Sequence, residues 1–240
     1  MNPTPADRRP DGDADLPERV GEAVSDALTA MKPRLRGWLH AGTFPLAVVA
    51  GIVLVVLAEG TRAVVATAVY ATTAALLFGI SAIYHRGNWS PPAERLLKRL
   101  DHSNIFLIIA GTYTPFSVLL LQDDGGRTLL WLVWAGALAG IAFRVLWVGA
   151  PRWLYTPVYI ALGWVAVFYL PDILDAGGVA VVVLLAVGGV LYSVGGIVYA
   201  LKRPNPSPQW FGFHEVFHAL TLGAFVTHYI AVLMATSSAA

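Results

Sequence analysis

The chain has 240 residues, of which 57% are hydrophobic and 13% are charged, and its formal net charge is +1. A soluble domain carries roughly 25% charged residues, so this composition excludes an ordinary soluble domain and indicates a membrane protein. The chain has no cysteine, which excludes disulfides and thiolate metal sites and leaves imidazole and carboxylate groups as ligands for a transition metal.

Residues 1–40 form a polar arm ahead of the apolar part of the chain. Residues 1–15 are rich in proline and charge, which predicts disorder. From Leu16 to Leu35, apolar residues recur at helical spacing, so we expect either an amphipathic helix on the membrane surface or a solvated helix without a special role. The arm lacks the apolar core of a secretory signal, so we expect the first apolar segment to be retained as a membrane span.

Residues 41–240 are predicted to form one all-α domain, a polytopic membrane protein with seven transmembrane helices. Each segment approaches the ~20 apolar residues that a bilayer crossing requires, and turn-forming residues separate the segments. The predicted segments are 42–58, 63–84, 104–121, 128–148, 154–170, 178–200 and 213–236. Glycine pairs at 188–189 and 195–196 in the sixth segment indicate close helix packing, in preference to space for a ligand.

The basic residues predict how the chain is oriented. If the N-terminus is cytoplasmic and the chain crosses seven times, only Arg62 and Arg127 of the 16 basic residues lie on the outer side. Because cytoplasmic connections carry an excess of Lys and Arg, this distribution predicts a cytoplasmic N-terminus and an outer C-terminus. The basic residues are thereby explained by topology, and nothing supports a nucleic-acid partner. The predicted location is the cell membrane.

Four ionisable residues are predicted to meet on the cytoplasmic side. His85 ends the second segment, Asp101 precedes the third, and His214 and His218 begin the seventh. Ionisable groups in membrane segments are costly and usually functional. Ser81 lies four residues before His85 and shares its helix face, as His214 and His218 share theirs.

Three histidines from two helices match the ligand number of a catalytic zinc site. Asp101 could then orient a ligand or accept a proton from water, and Ser81 could hold that water by a hydrogen bond. The alternative is that the histidines are structural groups with ordinary hydrogen bonds. Haem is disfavoured, because ligands one helical turn apart cannot reach opposite faces of the ring.

The other histidines and Glu215 carry weaker hypotheses. His214-Glu215-Val216-Phe217-His218 matches the HExxH metalloprotease pattern literally, but adjacent helix positions do not share a face. His102 points about 100° away from Asp101. We expect His40 to lie at the membrane interface before the first segment, and His228 to be a core hydrogen-bonding residue.

Four stretches of the chain resemble the haemolysin III group of the progestin and adipoQ receptor family. They are SAIYH at 81–85, LDHSNIFLIIAGTYTP at 100–115, GGVLYSVGGIVYALKRP at 188–204 and FGFHEVFH at 211–218. The resemblance implies Zn²⁺ bound by His85, His214 and His218, with Ser81 and Asp101 beside the water at the metal. One stretch departs from the family: its usual Glu-Glu-x-x-Asn start is replaced by KPRLRGWLH at 32–40.

The resemblance also implies three functional hypotheses. The first is a metal-dependent hydrolase of lipid amide or ester bonds, because family members include adiponectin receptors linked to ceramide breakdown. Its partners would be membrane lipids, with a substrate from the cytoplasmic leaflet. The second is a non-enzymatic, zinc-stabilised sensor or regulator of the membrane, and the third is a pore-forming haemolysin. Substrate and oligomeric state are not defined by the sequence.

Overall fold

The computed structural model describes residues 33–121, 124–147 and 149–238. Within them the chain forms seven α-helices and one 3₁₀ helix, Trp164–Tyr169. The α-helices are α1 (Trp38–Leu57), α2 (Gly60–Arg86), α3 (Pro91–Leu119), α4 (Asp124–Leu146), α5 (Arg152–Gly163), α6 (Leu170–Leu201) and α7 (Phe213–Ser238). The predicted surface helix at 16–35 lies outside the described residues except at 33–35, which are not helical.

Five helical stretches of the described residues are long and apolar enough to cross a membrane. They are Trp38–Leu57, Gly60–Arg86, Asp124–Leu146, Arg152–Leu201 and Phe213–Ser238. Their outward surfaces are apolar as well: Leu46 is 70% exposed and Val56 is 75% exposed. Such surfaces would be unfavourable in water and match the hydrocarbon of a bilayer, so the chain is a multi-pass membrane protein.

The stretch Arg152–Leu201 is two antiparallel limbs rather than one rod. The Arg152 guanidinium donates to the carbonyl of Tyr199 at 3.2 Å, and the Trp164 indole donates to the Ser193 hydroxyl at 2.8 Å. These pairings require the chain to reverse near the midpoint between them. The break is at Gly178, whose φ of 77° lies in the left-handed region that favours glycine. The limbs correspond to the fifth and sixth predicted segments.

Helix α3 begins well before the predicted third segment, which was expected to start at residue 104. It starts at Pro91, a residue favoured in the first helical turn, and Glu94 lies in that turn, where the helix dipole stabilises a negative charge. Charged residues fill the first turns of this helix, so a search for apolar segments detects only its second half. Asp101 and His102 therefore lie inside α3, and not in the connection that precedes it.

Successive helices run antiparallel, which brings several helix ends together. Between α2 and α3, His85 lies beside Asp101 at one end, and Gly111 packs against Thr73 further along both helices. Helices α1 and α7 run parallel, because both begin at the same end. We call this end, which carries His85 and the start of α7, the histidine end of the bundle.

Candidate metal centre

Three histidine side chains converge inside the histidine end. His85 comes from the last turn of α2, and His214 and His218 come from the first turns of α7. Each offers one ring nitrogen such that these atoms lie within 4.8 Å of one another, and all three side chains are buried. The pair on α7 shares a face because residues four apart are neighbours on a helix surface.

One pair of these nitrogens has the spacing that a shared metal ion requires. The Nε2 atoms of His85 and His214 are 3.1 Å apart. Two nitrogens on a tetrahedral zinc, each about 2.0–2.1 Å from the metal, lie about 3.3 Å apart. Neutral imidazole is a ligand type that suits zinc, and three such ligands leave a fourth position for water or substrate. The histidines predicted from the sequence are thus close enough to hold one ion together.

Asp101 and Ser81 lie beside the three histidines. The Asp101 Oδ2 atom is 3.8 Å from the His85 Nε2 atom and 3.7 Å from the His102 Nδ1 atom. The Ser81 hydroxyl, one turn before His85 on α2, donates a hydrogen bond to the Asp101 carboxylate. Helix α3 thereby places a carboxylate next to the candidate ligand nitrogens, and a hydrogen bond from α2 holds that carboxylate.

A cavity of about 180 Å³ opens beside this cluster. Ser81, Asp101, His214 and His218 line its polar end, and its wall follows α3 as far as Phe116. Fifteen residues of α3 separate Asp101 from Phe116, which corresponds to about 22 Å along a helix axis. Most of the wall is apolar, so the cavity has the length and chemistry to accept an extended hydrocarbon chain.

His40 is a neighbour of the site that the sequence did not identify. It was expected near the membrane interface, and it lies in the first turn of α1 as a buried side chain with 2% exposure. Its ring stacks on His218 with centroids 3.7 Å apart and an interplanar angle of 8°. His40 therefore fixes the orientation of the His218 ring by packing.

Arg36 and Gly37 complete the contact between the residues before α1 and the histidine cluster. The Arg36 guanidinium forms an ion pair with Glu215, which lies between His214 and His218 on α7. Gly37 lies so close to His85 that a Cβ atom there would be 2.8 Å from the Cβ of His85. Residues 36–40 thus contact the surroundings of all three histidines.

Glu215 has a structural role in this arrangement. It is 1% exposed, pairs with Arg36, and accepts a hydrogen bond from the backbone nitrogen of Gly212 at 2.8 Å. Because its carboxylate is engaged away from the histidine nitrogens, it does not occupy the position of the general base in an HExxH metalloprotease. The protease hypothesis therefore has no support from the geometry.

His102 and His228 lie outside the three-histidine cluster. The His102 Nδ1 atom is 2.8 Å from the Lys98 carbonyl oxygen, and its Nε2 atom is 3.3 Å from the Tyr199 hydroxyl. His228 lies far along α7, where its Nε2 atom is 3.3 Å from the Leu185 carbonyl oxygen. His102 thus bonds to its own helix and to α6, and His228 bonds to α6, so neither side chain joins the cluster.

Comparison with known proteins places this chain in a family. Residues 28–229 match the family model described as haemolysin-III related. The chain belongs to the haemolysin III family. Hemolysin-3 of Bacillus cereus is 37% identical over 194 residues, which are 78% of this chain and 84% of that protein. The Hemolysin-3 homolog of Bacillus subtilis is 32% identical over 170 residues, 71% of this chain and 76% of that protein.

Membership of the haemolysin III family confirms the resemblance recognised in the four sequence stretches and agrees with a multi-pass protein of the bacterial cell membrane. It also sets the Arg36–Glu215 pair in context. In the stretch 32–40, where the resemblance implied a different start, Arg36 pairs with the carboxylate of Glu215 beside the histidines. The sequence analysis missed this pair. Its signal in the sequence is a basic residue just before the first apolar segment and an acidic residue near the start of the last one.

Proposed function

We propose that this protein is a zinc-dependent membrane hydrolase of lipid amide or ester bonds that serves membrane-lipid homeostasis. The observation that carries the proposal is the juxtaposition of His85, His214 and His218 with Asp101, at the polar end of an otherwise apolar cavity. A three-histidine metal site alone would suit many roles. The same site with a carboxylate beside it, at the end of an apolar cavity, suits hydrolysis of a lipid.

The proposed topology has seven transmembrane helices, a cytoplasmic N-terminus and an outer C-terminus. The two antiparallel limbs of Arg152–Leu201 count as two crossings, and α3, with its charged first half, supplies the remaining one. The histidine end then faces the cytoplasm together with Arg86, Arg144 and Lys202. Substrate would enter from the cytoplasmic leaflet, so membrane lipids are the proposed partners.

Each residue of the site has a proposed part in the reaction. His85, His214 and His218 would hold the metal, which supplies a Lewis acid and makes water more acidic. Asp101 would accept the proton of the attacking water and later give it to the leaving amine or alcohol. Ser81 would hold the Asp101 carboxylate in position through the hydrogen bond that it donates. The apolar cavity would bind the acyl chain and keep bulk water away.

Hydrolysis by purified protein tests this proposal. The full chain, loaded with zinc in lipid nanodiscs, is expected to release fatty acid from an N-acyl amino alcohol or an acyl ester, and a chelator is expected to stop the release. The Asp101→Asn variant serves as the matched control, since it keeps the three histidines. Release that persists without metal, or that is unaffected by this variant, would contradict the proposal.

A second candidate is a non-enzymatic role in which zinc stabilises a membrane sensor or regulator. It is favoured by the contacts of residues 36–40, which together with the histidines link α1, α2 and α7 at one end. A zinc-loaded protein that releases no fatty acid from either class of lipid, but whose unfolding temperature rises with zinc, would favour this role.

A third candidate is cytolysis through a pore, which is favoured by the name of the relative Hemolysin-3. Among the described residues, however, the charged and histidine side chains that line the cavity lie at the histidine end with the exception of His228, and the cavity wall beyond that end is mostly apolar. Leakage of dye from liposomes that does not depend on the histidines would support this candidate.

A further inference from the structure

Two buried threonines differ from the other buried threonines of the described residues. In an apolar environment a threonine hydroxyl ordinarily donates to a carbonyl three or four residues earlier in its helix. The buried threonines that do so are Thr43, Thr67, Thr73, Thr112, Thr114 and Thr236. The hydroxyls of Thr156 and Thr221 have no hydrogen-bond partner among the described residues.

Both unpaired hydroxyls belong to residues that line the cavity next to the histidines. Thr156 and Thr221 are each 4% exposed, and both contribute to the cavity wall. Thr221 follows His218 by one turn of α7. Thr156, from α5, packs against Gly196, which is one turn of α6 from the tyrosine whose ring contacts His214. The two threonines therefore line the cavity next to the proposed metal.

An unpaired hydroxyl in a buried position destabilises a folded protein, because it loses its hydrogen bonds to water without replacement. Both threonines could have formed the ordinary bond within their helices. A ligand in the cavity would supply the missing partners. We propose that Thr156 and Thr221 form a hydrogen-bonding subsite for the polar head of a lipid whose chain occupies the cavity.

The charges of the cavity wall specify the class of ligand. Among the described residues that line the cavity, none is Lys or Arg, and Asp101 is the only carboxylate. Apart from the proposed metal, a phosphate head group would find no cationic partner in the cavity wall, and buried charges require partners. Hydroxyls both donate and accept hydrogen bonds. The ligand class is therefore an uncharged lipid with a hydroxyl or amide group in addition to the carbonyl at the metal. This assignment rests on the proposed function.

Three threonine-to-valine variants test the subsite. Thr156→Val and Thr221→Val keep the shape of the wall and remove the unpaired hydroxyls. Thr112→Val is the matched control, because Thr112 lines the same cavity but donates its hydroxyl to Ile108 at 2.7 Å. The probes are an N-palmitoyl amino alcohol with a free hydroxyl and the N-alkyl amide of equal length without it, each titrated into the full chain in nanodiscs.

We expect Thr156→Val and Thr221→Val to bind the hydroxylated probe roughly threefold to tenfold more weakly, the effect of one hydrogen bond each. Binding of the probe without the hydroxyl should be unchanged, and the unfolding temperature of both variants should equal or exceed that of the wild type. Thr112→Val should bind both probes as the wild type does.

Equal binding of the hydroxylated probe by the wild type and both variants would overturn the subsite. So would a loss of equal size in Thr112→Val, or an equal loss for both probes, since either would reflect a change of packing. The result is separate from catalysis. A wild type that discriminates between the probes but releases no fatty acid would contradict the hydrolase and leave the subsite standing.

Discussion

At the residue level, the site combines three histidines that could hold a metal with a carboxylate that is not a predicted ligand. Asp101 lies 3.8 Å from the His85 Nε2 atom and receives a hydrogen bond from Ser81. A group at this position can move a proton without leaving its place in α3. The division of roles between the histidines and Asp101 is therefore open to direct test.

Asp101→Asn should separate metal binding from catalysis. The amide keeps the size of the side chain and cannot act as a base, so we expect fatty-acid release to fall by roughly 100- to 10,000-fold. The zinc content of the variant should stay near that of the wild type, as measured by mass spectrometry of the purified protein. Loss of zinc together with activity would instead assign Asp101 to the metal ligands.

Some residues of the site could be predicted from the sequence, and others could not. His85, His214 and His218 were found because helical spacing and the order of crossings bring them to one end. His40 stacks on His218 from a helix almost 180 positions away in the chain, and no local pattern encodes such a contact. The same holds for the unpaired hydroxyls of the cavity, because hydrogen bonding inside a helix cannot be read from residue type.

At the scale of elements, the short segment before α1 supports the metal centre from outside. Arg34 and Leu35 donate backbone hydrogen bonds to the carbonyls of Gln209 and Trp210, at 2.9 and 3.2 Å. These bonds attach the segment to the connection that leads into α7. The Arg36–Glu215 pair then holds the first turn of α7, so the positions of two histidines depend on contacts made by the beginning of the described chain.

Reversing the Arg36–Glu215 pair should test this support. Glu215→Arg alone places two cations together in a buried site, and we expect it to lower zinc affinity roughly tenfold or more, the effect of losing an outer-shell contact. The double variant Arg36→Glu with Glu215→Arg should recover part of the affinity, because the opposite charges are restored. Zinc competition with a colorimetric chelator measures both. No recovery in the double variant would indicate that α7 is positioned by other contacts.

The helices themselves were predicted with one main error. Apolar segments located α1, α2, α4 and α7 well, because membrane helices are long and lack charge. The start of α3 was missed by more than ten residues, since its first turns carry Glu, Arg and Lys and resemble a polar connection. A search for helix-start signals, such as Ser90 followed by two prolines, would have found it.

For the whole molecule, the proposed topology requires the histidine end to face the cytoplasm. The chain has no cysteine, so single cysteines can report topology without background. Asn88→Cys, in the exposed connection at the histidine end, should react with an impermeant maleimide only after the cells are permeabilised. Glu59→Cys, in the exposed connection at the opposite end, should react in intact cells. The reverse pattern would place the site outside the cell.

The proposed hydrolase requires a metal ion bound by three histidines, and the metal content of the protein tests that requirement most directly. Wild-type protein purified in detergent should contain about one zinc per chain, as expected for a single three-histidine site. His85→Ala and His214→Ala should lose it while keeping a helical circular dichroism spectrum, and His228→Gln, which alters a partly buried histidine outside the cluster, should retain it. A folded wild type without metal after zinc loading, or variants that all keep it, would contradict the account.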